Sequence, residues 1–266
     1  MDQTKGSREQ IRTWPAFLLS WVGGSVDAIG FLVLFHMFVA HMSGNSAALG
    51  AYLGQGNWNL AFHHLFPVPV FVIGIAWGRI LNETGLREGL KSSYSLVLGI
   101  EAFLLSLFML FGMRSTSDGD IETDTAWKFY LLASLPLLSM GLQNATIRRI
   151  GGYSLHTTYI TGVLNSFAEE GVRFLYWFRD HTKGRSTGRI ARVLRVSIRQ
   201  DSFRYSFLSG CMWSAYIIGA IMGSLAKYWW SLGSLVLPIG ALIFLMIVDI
   251  MNPFHSQPRV EIRKFY

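Results

Sequence analysis

The chain is short of charge, of cysteine and of every common enzymatic signature. Only 15% of its 266 residues are Asp, Glu, Lys or Arg, where a soluble domain carries about 25%. That shortage excludes an ordinary soluble globule. The single cysteine, Cys211, excludes an intramolecular disulfide and a cysteine-built metal cluster. HExxH, GxSxG, Walker, CxxC and dinucleotide-binding glycine patterns are all missing. The expectation is therefore a protein with no cofactor, no metal centre, no enzymatic activity and no ATPase of its own.

What is present instead is apolar surface. Half of the residues (51%) are hydrophobic. Runs of the roughly 20 residues needed to cross a bilayer occur at 14–36, 58–79, 94–113, 127–147, 203–226 and 232–250. The first is too long for a signal-peptide core and no small-residue cleavage site follows it, so it is expected to be retained. The formal charge of +7 reads as a topology signal, with no nucleic-acid partner implied, because basic residues gather on the cytoplasmic side of membrane proteins.

Sorting the basic residues by loop gives an orientation. Lys5, Arg8 and Arg12 precede the first run, and Arg79, Arg87 and Lys91 follow the second. Arg148 and Arg149 follow the fourth, and a dense set runs from Arg179 to Arg199. The segment between the third and fourth runs, "RSTSDGDIETDTAWK", is net acidic. Keeping the basic loops in the cytoplasm requires six spans with both termini inside. Two polar-interrupted segments, 36–56 and 156–177, must then enter and leave on one side as re-entrant half-helices. An interfacial helix lying flat is the rival reading.

The two halves also match each other, which is worth testing early in any chain. "GGSVDAIGF" (23–31) parallels "MGLQNATIR" (140–148), setting Asp27 opposite Asn144. "HMSGN" parallels "YITGV", and "FVIGIAWG" parallels "YIIGAIMG". "SLVLGIEA" parallels "SLVLPIGA", setting Glu101 opposite Gly240. The fold expected is thus an all-α integral membrane protein, with six transmembrane helices and two re-entrant half-helices in a three-plus-three inverted-topology repeat. Its parts are a cytoplasmic tail (1–13), a first membrane repeat (14–113), an acidic periplasmic loop (114–126), a second membrane repeat (127–252) with a basic cytoplasmic loop (178–202), and a cytoplasmic tail (253–266).

Non-helical backbone at membrane depth survives only where protein buries it or water reaches it. Two half-helices dipping from opposite faces would meet near the midplane and line such a cavity. Ser43 and Asn45 suit the capped start of one, and Thr161 the start of the other, running on through Asn165. Their N-termini would favour a small polar or anionic solute. Helix-breaking surface turns are the alternative for both.

The pairing of "GGSVDAIGFL…FVAHMSGN" with "MGLQNATIRRIGG…TTYITG" resembles the YoaK-like family, bacterial multi-pass membrane proteins of unknown function. The resemblance covers roughly residues 14 to 250. It implies an inner-membrane protein of about six spans and supplies no substrate. "HMSGN" departs from the family's usual "HMTGN" but keeps the hydroxyl.

Ionisable groups inside spans are costly and are functional candidates by default. Asp27, mid-helix, is the leading one, as a site or proton-relay residue; a buried partner for a helix end is the competing reading. Glu101 and His41 complete the proton-coupling candidates. Asp27, His41, Ser43, Asn45, Gln143, Asn144, Thr161 and Asn165 form the expected solute site. The small-residue pairs Gly74/Gly78 and Gly219/Gly223 suit close helix packing within the chain, or a homodimer. Arg189, Arg192, Arg195 and Arg199 fall at three-to-four spacing among apolar residues, a stripe suited to anionic lipid headgroups on the membrane surface. The function expected is a secondary transporter or channel. A membrane-embedded enzyme acting on a lipid-like substrate, and a scaffold or sensor docking through its basic loop, are the alternatives.

Overall fold

The computed structural model describes residues 14–88, 94–117, 120–121, 125–146, 160–183, 193, 195–198 and 200–253. Both charged tails, Arg148 and Arg149, and Arg189, Arg192 and Arg199 of the basic stripe lie outside the described residues, while Arg195 is exposed. Nine helices are described: α1 (Trp14–Val33), α2 (Met42–Gly54), α3 (Trp58–Leu65), α4 (Pro67–Arg87), α5 (Tyr94–Arg114), α6 (Ala126–Thr146), α7 (Ile160–Thr182), α8 (Asp201–Trp230) and α9 (Val236–Met251). A 3-10 turn, Ser231–Leu235, joins the last two. A two-residue antiparallel ladder pairs β1 (Thr116–Ser117) with β2 (Asp120–Ile121).

Local chemistry sets the boundaries. Pro15, Pro67, Pro69 and Pro238 each fall in a first helical turn, where the missing N–H has no intrahelical acceptor to lose. Asn57 starts α3 by accepting the Leu60 N–H at 3.2 Å, a side-chain cap. Ser231 ends α8 with φ +47°, a left-handed backbone that a helix cannot continue. Pro136 stands inside α6, where it removes one helical hydrogen bond.

Four helical stretches among the described residues are long and apolar enough to cross a bilayer: Trp14–Val33, Trp58–Gly85, Tyr94–Arg114 and Asp201–Met251. The last contains α8 and α9, on either side of the Ser231 break. Ile80, Phe103, Leu131, Ile221 and Ile250 lie exposed on the outside of the bundle. Such a surface is a liability in water and the ordinary covering of a protein in lipid. The protein is a membrane protein.

Inside, α1 packs on α8, α4 on α6, and α5 on both α6 and α9. Leu19, Val26, Leu105, Phe108, Met140 and Leu242 belong to one buried cluster joining α1, α5, α6 and α9. Between apolar helices in lipid there is no hydrophobic drive, so close backbone approach carries the association. A Cβ on Gly219 would fall onto the Trp21 carbonyl, and one on Gly223 would stand 2.8 Å from the Ser25 carbonyl oxygen. In the other pair, a Cβ on Gly74 would stand 2.6 Å from the Leu138 carbonyl oxygen, and one on Gly78 3.2 Å from Leu142. These four glycines face the chain's own helices.

The two polar-interrupted segments take different forms. α2 rests mainly on α3, and Asn45 is its single buried residue. Residues 160–182 form one continuous helix of 23 residues, about 34 Å long, with no proline to stop it at the length of a half-helix. α7 packs along the first part of α8, with Phe174 against Phe203 at 5.1 Å and the Ser206 hydroxyl donating to the Phe167 carbonyl at 3.0 Å.

Candidate functional site

After Val33 the chain leaves the helix through Phe35 and His36, both left-handed (φ 49° and 63°). Such conformations cost on the order of 1–3 kcal/mol each for non-glycine residues. Asp27, one helical stretch earlier, holds the loop that follows. Its Oδ1 accepts the Val39 N–H at 2.9 Å and the Ala40 N–H at 2.7 Å. Its Oδ2 meets His41 Nδ1 at 2.6 Å and accepts the Tyr216 hydroxyl at 2.8 Å. A carboxylate only 4% exposed thus has four donors, drawn from α8 and from the residues entering α2.

Asn45 fixes the same loop from the other side. Its Oδ1 accepts the Phe38 N–H at 3.1 Å, and its Nδ2 donates to the Phe38 carbonyl at 2.7 Å. This two-way pairing settles the amide's orientation. His64 of α3 lies 3.4 Å from the same Oδ1 and stacks on Tyr52. The expected capping role of Ser43 and Asn45 is therefore corrected: Asn45 mimics a backbone partner for Phe38, Ser43 is exposed, and the position before α2 is His41, with no side-chain cap.

The tautomer of His41 follows from its neighbours. With Asp27 ionised, Nδ1 carries the hydrogen toward Oδ2, and Nε2 takes no hydrogen bond among the described residues. The ring is about a quarter exposed (24%). A half-buried imidazole oriented by a carboxylate and a phenol, at the open N-terminus of a helix, can receive an anion or exchange a proton. No group of three or more His, Cys, Asp or Glu among the described residues is placed to hold a metal ion.

A family model described as "Protein of unknown function (DUF1275)" matches residues 15–248. The chain belongs to this family. Its similarity to the UPF0700 transmembrane protein YoaK of Bacillus subtilis (strain 168) is 25% identity over 210 residues, which is 79% of this chain and 81% of that protein. The YoaK-like resemblance carried by "GGSVDAIGF" and "HMSGN" is thus a family membership. No solved structure matches the chain.

In this DUF1275 protein the remaining expected site residues lie elsewhere. Gln143, fully buried, donates through Nε2 to the Leu19 carbonyl of α1 at 2.6 Å. Leu19 precedes Asp27 by about 12 Å of helix, so Gln143 and the partly buried Asn144 stand apart from the Asp27 cluster. Thr161 and Asn165 are exposed on α7, and Asn165 donates to Glu169 at 2.9 Å. Val163 between them packs with Ala16 and Met212, near the start of α1. Glu101 is fully buried in α5 and meets none of the cluster.

Tyr216 was not among the expected residues. It sits in "YIIGAIMG", whose texture reads as helix packing, and aligns with Phe71 of "FVIGIAWG". The one signal was that extra hydroxyl, in an apolar run where a phenol needs a partner.

Proposed function

We propose that this DUF1275 protein carries a small polar or anionic solute across the bacterial inner membrane, as a secondary transporter or channel. The carrying observation is His41: half-buried, held by Asp27 and Tyr216, and set at the uncapped start of α2. The solute's negative or electron-rich end would meet the Nε2 edge and the free N–H groups of the first turn. Asp27 and His41 would pass the coupled proton, because a hydrogen bond of 2.6 Å joins them within a buried site. Anionic headgroups at the basic stripe would anchor the cytoplasmic side.

The glycine contacts support the repeat of the two halves. In the alignment of the halves, Trp21 corresponds to Leu138 and Ser25 to Leu142, and Gly219 corresponds to Gly74. A Cβ on Gly219 meets Trp21, and one on Gly74 meets Leu138. Likewise a Cβ on Gly24 meets the Tyr216 carbonyl, and one on Gly141 meets the carbonyl of Phe71, the residue aligned with Tyr216. Two helix pairs built alike from opposite halves are what an internal repeat gives in either orientation, and inversion follows from an odd number of spans in each half.

The test is a thermal-shift screen of the purified protein against small anions, organic acids and neutral metabolites, run beside His41→Ala. A compound that raises the melting temperature of wild type, but not of a folded His41→Ala, supports the site. Stabilisation that ignores His41 would remove it.

A further inference from the structure

Glu101 stands in the first half of α5 with 0% exposure, and neither carboxylate oxygen has a partner among the described residues. Along α6 and α4 the missing chemistry is the same. The Gln143 amide is oriented by its 2.6 Å bond to the Leu19 carbonyl, which leaves its Oε1 unfilled. Asn82 of α4 donates through Nδ2 to the Ala145 carbonyl at 3.3 Å, and its Oδ1 is unfilled too. The Oδ1 of Asn144 makes one more. Every orphan here is an acceptor, and what the region lacks is donors.

Ser139 and Gln143, one turn apart, share a face of α6, and Asn144 lies about 100° around the helix from Gln143. The Ser139 hydroxyl lies 3.4 Å from the Glu101 carbonyl, joining α6 to α5 at that level. Gln143 comes one turn later, about 6 Å along the helix, and Asn144 follows it near the end of α6. Asn144 is the only one of the four that is partly exposed. The four unfilled groups are all sealed at their oxygens, the Asn144 Oδ1 included.

An unpaired buried carboxylate costs far more than a neutral acid. No charged side chain of α4, α6, α9 or the 3-10 turn acts on Glu101 among the described residues. From α6 the neutral Ser139 meets it, at its backbone carbonyl. The closest titratable group on its own helix is Tyr94, about 10 Å along α5, which responds to Asp249 of α9 and Arg79 of α4. The amides also reach in different directions, Gln143 to α1 and Asn82 to α6 from α4. That arrangement does not converge the oxygens into a cage for a metal cation.

We propose that Glu101, an unpartnered carboxyl inside a membrane-spanning helix, is a proton-binding site separate from the Asp27 cluster. In the state described it is a neutral carboxylic acid, one oxygen now a donor. On release the O–H bond breaks, the electron pair stays on the carboxylate, and the proton passes to a water admitted to the site. The site stands whether or not a solute binds at His41.

The test uses dicyclohexylcarbodiimide, which adds to protonated carboxyls in apolar surroundings, on the full-length protein in detergent. Adducts are read by intact mass and peptide mapping across the pH range in which the protein keeps its melting transition. The expected result is one adduct on Glu101, falling about tenfold per pH unit above a midpoint, unaffected by sodium and absent in Glu101→Gln. Labelling that is constant with pH would make Glu101 a locked structural acid and overturn the proposal. Protection by sodium at fixed pH would replace the proton with a metal cation, and an adduct on Asp27 or Asp249 instead of Glu101 would place the site elsewhere. Because wild type itself is read, a failure of Glu101→Gln to fold leaves the test intact.

Discussion

Asp27 and Glu101 are both buried carboxyls in apolar helices, and their surroundings are opposite. Asp27 has four donors within 2.9 Å; Glu101 has none among the described residues. The difference lies in what each helix faces. Asp27 looks onto a chain reversal, whose free N–H groups must be satisfied at depth, and it does that work. Glu101 looks onto α6, whose N–H groups are already taken within the helix and whose Ser139 hydroxyl is turned to the Glu101 carbonyl, not to its carboxyl. A buried carboxyl is thus a structural hub where backbone ends, and a proton site where backbone is complete.

Helix contact is the foundation of both regions, so breaking it should have the largest effect. Gly219→Leu would drive a side chain into the Trp21 backbone beside the Asp27 cluster, and Gly74→Leu would do the same at Leu138 beside Glu101. Overpacking of this kind costs about 1–3 kcal/mol or more even where neighbours can move, and backbone cannot. Both variants should lose folded yield, measured as the monodisperse fraction after detergent extraction. If one loses it and the other does not, the two halves are not packed alike.

The next effect belongs to the hub alone. Asp27→Ala strands the Val39 and Ala40 N–H groups and the Tyr216 hydroxyl. Each stranded buried donor costs about 1–3 kcal/mol, so the loss should reach at least about 3 kcal/mol, seen as a large drop in melting temperature. Protease cleavage between α1 and α2 should rise with it, because the loop at Val39 and Ala40 is what Asp27 holds. A variant that melts with wild type would show that the loop stands without the carboxylate.

Tyr216→Phe gives the smallest effect. It removes one donor from Asp27 and copies the residue that the other half carries at Phe71. Net loss of one hydrogen bond is about 1 kcal/mol, with the remaining three donors in place. A loss as large as that of Asp27→Ala would mean that the phenol, not the carboxylate, is the centre of the cluster.

Much of this was legible in the residues and some of it was not. Asp27, His41 and Asn45 stood out because each interrupts an apolar run, and a polar group at that depth must have a partner. Which partner was not legible. Asn45 beside Gly44 looks like a helix cap, yet the reversal at Phe35 and His36 brings the Phe38 backbone to it first. The repeat pairs Asn144 with Asp27 by position, and this suggested one shared site. Equivalent positions in opposed halves need not adjoin: Gln143 reaches α1 at Leu19, well before Asp27. Tyr216 escaped because a phenol in an apolar helix differs from Phe71 by one oxygen. Among the apolar runs, α3 and α4 share one that breaks at Phe66, before Pro67, and α8 begins two residues before its run and continues past it to Ser231. Runs mark the buried stretch, while caps and left-handed residues mark the ends.

The most direct measurement is a paired melt of Asp27→Asn and Glu101→Gln in one detergent at one pH. Both replace a carboxyl with an amide of nearly equal size. Asn at position 27 loses an acceptor oxygen that two donors use, whereas Gln at 101 supplies the donor that its surroundings lack. The account predicts a melting temperature well below wild type for Asp27→Asn and one equal to or above wild type for Glu101→Gln. Equal losses in the two variants, or a larger loss at Glu101, would contradict it.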